Sequence, residues 1–161
     1  RALKYTTDCE LFIAGDGVLR EMLLQEAQKS GITDRVHFLG VLSDSDLKSA
    51  MHDCDVFILP SVENSEAFGI VQMEAMVYGK PVINTSLPTG VPYVSLDGVS
   101  GITVPPKDEK ALGEAIEKLV HDDILREQYG KKAYELVREK YAMEKVISRI
   151  EDIYTELIKE E

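Results

Sequence analysis

The feature that most constrains the fold of this chain is a series of short apolar runs separated by helical patterns. Runs this short and this apolar are typical of strands that are buried in a parallel sheet. A chain in which such runs alternate with helices builds an α/β fold with a doubly wound parallel sheet, and we predict that fold here. The predicted strands cover residues 11–14, 36–39, 56–59, 81–84 and 101–104.

The helical patterns continue beyond Pro105 and Pro106 into a segment that is helical throughout. Interleaved Lys and Glu residues on one side of these late helices are typical of a solvated face, so we assign no chemistry to them. The predicted helices cover residues 18–30, a segment from the candidate caps Ser43–Asp46 to about Asp53, and residues 66–78, 108–120, 123–140 and 143–160.

Length and charge limit the classes of function. The 161 residues suffice for one domain with a sizeable core, and no linker divides residues 1–161. The net charge of −11 argues against nucleic-acid partners. No apolar run reaches the length of about 18 residues that a transmembrane helix needs, and the start of the chain has no signal-peptide core. We therefore expect a cytoplasmic protein without a transmembrane segment.

Cysteine and histidine spacing gives no sign of a metal site. Cys9 and Cys54 lie far apart and beside predicted strands, so we expect free, buried thiols in a reducing compartment rather than a disulfide. His37, His52 and His121 are scattered and show no metal-ligand spacing. We expect neither a metal ion nor another cofactor.

Ligands of open α/β sheets bind at the carboxyl ends of the strands, which directs attention to the loops there. One of these loops carries AGDGVLR (14–20), which has Gly15 and Gly17 of a dinucleotide fingerprint but Arg20 in place of its third glycine. Such a partial match is weak, so we do not predict NAD binding and favour a tight strand-to-helix turn. The candidate loops cover residues 15–17, 40–45, 60–67, 84–92 and 104–107.

The stretch SEAFGIVQMEAMVYGKP (65–81) places two acids on one predicted helix. Ser65 can act as its N-cap, Glu66 then lies at the positive end of the helix dipole, and Gly79 ends the helix. Glu74 lies among apolar residues, so we expect this helix to be buried. A carboxylate on a buried helix needs a hydrogen-bond partner, which is either another protein group or a ligand.

The start of this helix also suits a phosphorylated ligand. Gly69 would let a ligand approach the backbone closely, and the amides of Phe68, Gly69 and Ile70 would be free donors of a helix N-terminus. Glu66 would repel a bare phosphate but would accept hydrogen bonds from the hydroxyls of a polyol. Glu74 could accept from a pair of neighbouring hydroxyls. Two sets of hydroxyls around a diphosphate describe a nucleotide-sugar, although other ligands are compatible with the same pattern.

A further loop follows the fourth predicted strand. LPTGVPYV (87–94) holds Gly90 between two prolines and faces the same end of the predicted sheet. An ordinary connection and a ligand-binding loop are equally compatible with this segment.

These motifs, in this order, resemble the C-terminal, donor-binding half of retaining GT-B-fold glycosyltransferases of family 4, also called glycosyl transferases group 1. The similarity covers nearly the whole chain, and the ordered series is specific although each motif alone is not. It implies a Rossmann-like domain. The matching segments are LFIAGDG (11–17), RVHFLG (35–40), CDVFILPS (54–61), the Glu-x-Phe-Gly signature from Glu66 to Glu74, and GITVPP (101–106).

The resemblance implies roles for these residues in binding a UDP- or GDP-sugar. Glu74 would bind the ribose hydroxyls, and Glu66 would contact the transferred sugar or lie near the reacting carbon. In a retaining transfer the diphosphate leaves, stabilised by cations and amides. Phosphates or sugar would lie against the amides of Phe68, Gly69 and Ile70, the base against Val41, Leu42 and Ser43, and further donor contacts would come from Gly15, Thr89 and Gly90.

Two departures from the family pattern accompany the resemblance. Many members have Gly-Gly after the fourth strand, whereas this chain has Thr89-Gly90, so the contacts to the donor sugar there could differ. The first strand of the family's domain, with its diphosphate-binding Arg and Lys, would precede residue 1, as would an N-terminal domain that binds a glycan or lipid-linked acceptor. We therefore expect a fragment of a longer two-domain enzyme. The fragment would be inactive alone, and the full-length form is compatible with association with a membrane.

Two other classes of function remain open at this point. A non-catalytic nucleotide-sugar-binding or scaffolding module would keep the cleft without the chemistry, although it would not need both glutamates. A related GT-B enzyme, such as a sugar-nucleotide epimerase or a glycan phosphorylase, is a second alternative. The sequence lacks the lysine context of a phosphorylase cofactor.

Overall fold

A computed structural model describes residues 1–159 as a series of short strands and helices. The strands are β1 (Leu11–Ala14), β2 (Val36–Gly40), β3 (Phe57–Ile58), β4 (Val82–Thr85) and β5 (Gly101–Val104). The helices are α1 (Arg20–Lys29), α2 (Asp44–Asp53), α3 (Ile70–Met76), α4 (Val91–Val94), α5 (Glu109–His121), α6 (Asp123–Lys140) and α7 (Met143–Lys159), and 3-10 turns cover Ala2–Tyr5 and Thr33–Arg35.

All strand pairs are parallel, which confirms the predicted α/β class. The strands form two sheets, one with the order β1-β2 and one with the order β3-β4-β5. Leu11 pairs with Val36 in the first sheet, and Val82 pairs with Gly101 in the second. The predicted single sheet is therefore present as two separate sheets in the described residues.

The centre of the larger sheet is the most buried part of the fold. Every residue of β4 is buried, as the apolar run predicted. Ile83 packs with Val104 and with Ala115, Ile116 and Leu119 of α5, while Val82 packs with residues of α3 and α6. The core therefore lies on both faces of β4, which holds the loop after β4 in place.

The smaller sheet is covered on one face only. Leu11 packs against a cluster that contains Ala27 of α1, whereas Phe12 on the opposite face is exposed and stacks on His37 with 4.7 Å between the ring centroids. The prediction that every apolar run is a buried strand is therefore wrong for both strands of this sheet, whose residues are half-buried or exposed.

Side-chain caps set the start of several helices, and the sequence predicted the one at the start of α2. Ser43 caps α2 by accepting a hydrogen bond from the amide of Asp46 at 3.2 Å. Asp108 and Asp122 accept amide hydrogen bonds at the starts of α5 and α6. An unpaired first-turn amide is costly, and these caps satisfy it. The short helix α4 was not predicted, because two prolines in LPTGVPYV indicated a loop; Pro92 lies in its first turn, where proline is tolerated.

The cysteines are free, but both are half-buried rather than buried as predicted. Burial raises the pKa of the Cys54 thiol. Among the helices that the structure describes, none is long and apolar enough to cross a lipid bilayer.

Candidate functional site

The first part of the candidate site is a turn that precedes α3. Gly69 has a φ of +70° and forms the N-cap, so the helix begins at Ile70 rather than at Glu66. A left-handed residue cannot continue a right-handed helix, which is why the predicted start at Ser65 and Glu66 is wrong. Glu66 instead accepts a hydrogen bond at Oε1 from the Gly69 amide at 3.1 Å.

This hydrogen bond changes what the turn offers to a ligand. Because the Gly69 amide already donates to Glu66, the prediction that it is a free donor is wrong. The amides of Phe68 and Ile70 donate to no group within the described part of the chain, as predicted. Glu66 is half-buried, and its Oε2 atom accepts no hydrogen bond from residues 1–159. One carboxylate oxygen is therefore held by the turn, and the other is available.

The reason for glycine at position 69 is packing within the protein. A Cβ atom there would lie 2.6 Å from Nε2 of Gln72 and 2.6 Å from Cδ2 of Leu59. Protein atoms thus fill the space that a Cβ atom would need, and the positive φ independently favours glycine. The close approach of a ligand to the Gly69 backbone stays a prediction.

The loop after β4 packs directly on this turn. The Gly90 amide donates to the carbonyl of Ala67 at 2.7 Å, and a Cβ atom on Gly90 would lie 2.2 Å from Cδ2 of Phe68. The other side of the Phe68 ring faces Tyr141 edge-on, with 6.2 Å between the ring centroids. Thr89 accepts at Oγ1 from the Val91 amide at 3.4 Å. The structure therefore brings Gly90 against Phe68, with Thr89 beside them, and a ligand role for these three residues stays a prediction.

Glu74 lies on the open side of α3. The helix buries Gln72, Ala75 and Met76, but Ile70 is 65% exposed and Glu74 is exposed beside it, one turn further on. The prediction of a buried helix is therefore wrong: its apolar residues divide between a core face and an open face. Neither Glu66 nor Glu74 forms a salt bridge with residues 1–159, so no described cation neutralises either carboxylate.

A buried polar network below the turn was not predicted. Gln72 is fully buried and donates from Nε2 to the carbonyls of Phe68, Gly69 and Val91 at 3.4, 3.3 and 3.2 Å. Asn84 donates from Nδ2 to Gln72 Oε1 at 2.9 Å. Asn84 in an otherwise apolar run, and Gln72 in an otherwise apolar helix, were the available sequence signals, because a polar residue is buried only with partners.

The remaining predicted site residues form a second group at the ends of β1 and β2. The Gly15 amide donates to the carbonyl of Gly40 at 2.7 Å, which joins the turn after β1 to the loop after β2. In that loop Val41 is exposed, Leu42 is half-buried and Ser43 caps α2. The structure thus gives Ser43 a local role, and a ligand role for Gly15, Leu42 and Ser43 stays a prediction.

The two glutamates of the candidate site line neither of two cavities that the described residues form. Two shallow cavities of about 300 and 360 Å³ are lined by other residues, among them Arg35 and Tyr129, and neither is lined by Glu66 or Glu74. Within residues 1–159 no three His, Cys, Asp or Glu side chains are grouped so that they could hold a metal ion. The convergence of both glutamates on one pocket stays a prediction.

Comparison with known proteins places the chain in a family. The profile of the glycosyl transferases group 1 matches residues 1–136. The chain is 32% identical over 146 residues to the O-antigen chain mannosyltransferase C of Escherichia coli. The aligned residues cover 91% of this chain and 39% of that protein. It is 35% identical over 147 residues to a phosphatidyl-myo-inositol mannosyltransferase of Mycobacterium leprae, with 91% and 38% covered.

A solved structure supports the same assignment. Sucrose-phosphate synthase from Thermosynechococcus elongatus superposes with a TM-score of 0.83 at 26% identity and covers 99% of this chain and 41% of that one. The fold is therefore the Rossmann-like fold of GT-B glycosyltransferases. The chain spans about two-fifths of the length of the curated relatives it matches. By its profile match and its relatives, the chain belongs to the glycosyl transferases group 1 family.

Proposed function

We propose that this chain is the donor-binding domain of a glycosyltransferase that moves a sugar from a UDP- or GDP-sugar to an acceptor with retention at the anomeric carbon. The observation that carries the proposal is the arrangement of Glu66 and Glu74. Glu66 keeps one carboxylate oxygen available beside the start of α3, and Glu74 lies on the exposed face of α3 without a salt bridge to the described residues.

The chemistry of these groups suits a nucleotide-sugar. A carboxylate accepts hydrogen bonds only, so sugar hydroxyls are natural donors to it, and bonds to a charged group are stronger than neutral ones. Glu74 would bind the ribose hydroxyls and Glu66 the transferred sugar. The available amides of Phe68 and Ile70 would donate to the diphosphate that joins the ribose to the transferred sugar.

In the transfer, the bond between the anomeric carbon and the diphosphate oxygen breaks while the acceptor hydroxyl attacks from the same face. The acceptor proton passes to the departing diphosphate oxygen, which balances the charge. Glu66, beside the reacting carbon, would stabilise the positive charge that develops on the sugar. No step requires a metal ion or another cofactor, and we propose that none takes part.

The proposal extends beyond residues 1–161, because this stretch matches only about two-fifths of the length of these relatives. The acceptor, a glycan or a lipid-linked glycan, would be bound by an N-terminal domain, so residues 1–161 alone would bind the donor without turning it over. The relatives from Escherichia coli and Mycobacterium leprae are both mannosyltransferases, which favours a role in polysaccharide or glycolipid synthesis. We place the reaction in the cytoplasm.

The test is titration of the chain with UDP, GDP and ADP, observed by calorimetry. We expect one of them to bind, and Glu74→Ala to weaken that binding about tenfold or more, because a hydrogen bond to a charged group contributes about 1.5–3 kcal/mol. Glu127→Ala removes an exposed glutamate from α6 and is the matched control, which should bind as the unaltered chain does.

Two results would contradict the proposal. Equal loss in Glu74→Ala and Glu127→Ala would remove Glu74 from the site. Indifference of the unaltered chain to every nucleotide would favour the scaffolding alternative, which the family assignment otherwise disfavours.

A further inference from the structure

The feature that leads beyond the proposed function is the buried polar network beneath the Glu66 turn. Thr103 of β5 donates from Oγ1 to Asn84 Oδ1 at 2.7 Å, and Asn84 donates from Nδ2 to Gln72 Oε1 at 2.9 Å. Gln72 Nε2 then faces the carbonyls of Phe68 and Gly69. A continuous chain of hydrogen bonds thus runs from β5 through β4 and α3 to the turn.

The same network also holds the second loop of the site. The carbonyl of Val91, which follows Thr89 and Gly90, accepts from both Gln72 Nε2 and Asn84 Nδ2 at 3.2 Å each. Asn84 donates in addition to the carbonyl of Ser95 at 3.2 Å. Two side-chain amides therefore connect the turn before α3 to the loop after β4.

Burial makes these contacts decisive for local geometry. Gln72 and Asn84 are 0% and 1% exposed, so neither can reach a ligand on the surface. All their buried polar atoms have partners in the described residues. Leaving such a group without its partner in the interior costs more than the hydrogen bond itself is worth, so the turn cannot move without a large penalty.

We propose that Gln72 and Asn84 are positioning residues, which hold the Glu66–Gly69 turn and the Thr89–Val91 loop in one fixed arrangement for the donor. This inference rests on the proposed function for its consequence in binding, but not for its structural part. Gly69 connects Gln72 to Glu66: its carbonyl accepts a hydrogen bond from Gln72 Nε2, and its amide donates to Glu66. Loss of Gln72 would free Glu66 to change its orientation.

The experiment measures amide hydrogen exchange in the intact chain by NMR. Gln72→Met removes the side-chain amide but keeps an unbranched side chain of similar length, and Gln128→Met alters an exposed glutamine of α6 as the matched control. We expect Gln72→Met to accelerate exchange at Gly69 about tenfold more than at Leu119, a core residue of α5 that reports opening of the whole domain. A merely stabilising role would accelerate both amides equally and would overturn the proposal.

A milder pair of variants covers the case in which Gln72→Met fails to fold. Thr103→Val removes the hydroxyl that orients Asn84, and Thr103→Ser retains it. We expect faster exchange at Gly69, relative to Leu119, in Thr103→Val and recovery in Thr103→Ser. Equal exchange in both variants would contradict the network.

Titration of the same variants with UDP, GDP and ADP separates the two proposals. We expect the dissociation constant of the bound nucleotide to rise about tenfold in Gln72→Met and to stay unchanged in Gln128→Met. If the unaltered chain binds no nucleotide, the proposed function fails, while the exchange data still decide the positioning. If Gly69 loosens and affinity is unchanged, the role of the network in donor binding is overturned.

Discussion

Two glutamates from one signature have different local environments. Glu66 is half-buried and accepts the Gly69 amide, whereas Glu74 is exposed on α3. The sequence placed both on one helix, with Glu66 at its start and Glu74 among its buried apolar residues. Their difference arises from the left-handed conformation of Gly69, which ends the turn and lets the helix begin only at Ile70.

Gly90 shows most directly how tightly the two loops of the site are packed. Its φ of −69° suits any residue, but an added Cβ atom would lie 2.2 Å from Phe68 Cδ2 and 2.9 Å from the carbonyl oxygen of Ala67. We expect Gly90→Ala to lower the free energy of unfolding by about 1–3 kcal/mol, because the ring and the turn must move to make room. Urea denaturation measures this change.

Gly17→Ala is the matched control for that substitution. Gly17 has open space at its Cβ position and no positive φ, so the change should stay within about 0.5 kcal/mol. Equal stability of the two variants would show that Phe68 is not packed against Gly90.

At the scale of elements, the sequence predicts the bounds of a helix or strand well where neighbouring residues alone determine them. The bounds of β1, β5 and α6 agree with the predicted ranges, because strand and helix periodicities are properties of consecutive residues. The prediction for α3 was too long at both ends, and α4 was missed. Both lie in the candidate site, where contacts between distant loops override local preference.

The contact between the N-terminal segment and α5 predicts a pH dependence. The Thr7 amide and hydroxyl donate to the Glu117 carboxylate at 2.8 and 3.1 Å, and these bonds, with His121 nearby, hold the pKa of Glu117 below its ordinary value. Because the pKa is lowered in the folded chain, the contact stabilises the fold when the pH is above the ordinary pKa of about 4.5. That contribution is lost as the pH falls through the folded-state pKa.

Carbon-13 NMR titration of the Glu117 carboxyl tests this prediction. We expect a pKa below 4.5, and a rise towards the ordinary value in Thr7→Val, which removes the hydroxyl but keeps the amide. Thr155→Val on α7 is the control. It removes a hydroxyl that donates to the backbone carbonyl of Glu151, and it should leave the Glu117 pKa unchanged. A Glu117 pKa at or above its ordinary value would refute the contact.

At the scale of the whole molecule, α7 lies on the surface and contributes no buried residue to the core. Within its described residues none is buried, although its apolar side chains recur at helical spacing along one face. This stripe is exposed to solvent in the described structure. Its residues are Met143, Val146, Ile147, Ile150, Ile153, Tyr154, Leu157 and Ile158.

Removal of residues 143–161 should therefore leave the core intact. We expect the free energy of unfolding in urea to change by less than about 1 kcal/mol, since no buried apolar contact is lost. We also expect weaker fluorescence of the dye ANS, which binds exposed apolar surface. Leu119→Ala in the core, with an expected loss of about 2–5 kcal/mol, shows that the assay detects a real change. A comparable loss on truncation would mean that α7 supports the core.

The sequence by itself determined the class of fold, the family signature and most helices and strands. These features depend on the periodicity of neighbouring residues and on short motifs such as the segment from Glu66 to Glu74. Only the tertiary structure decided that Leu59 and Gln72 fill the space beside Gly69 where a Cβ atom would lie. It also decided that Glu74 lies on the open face of α3.

The tertiary structure alone also decided how Gln72 and Asn84 join the two loops of the site. The physical reason is the same in each case. A contact between residues far apart in the chain exists only after strands and loops have been brought together, and no local pattern encodes which distant atom will fill a given space.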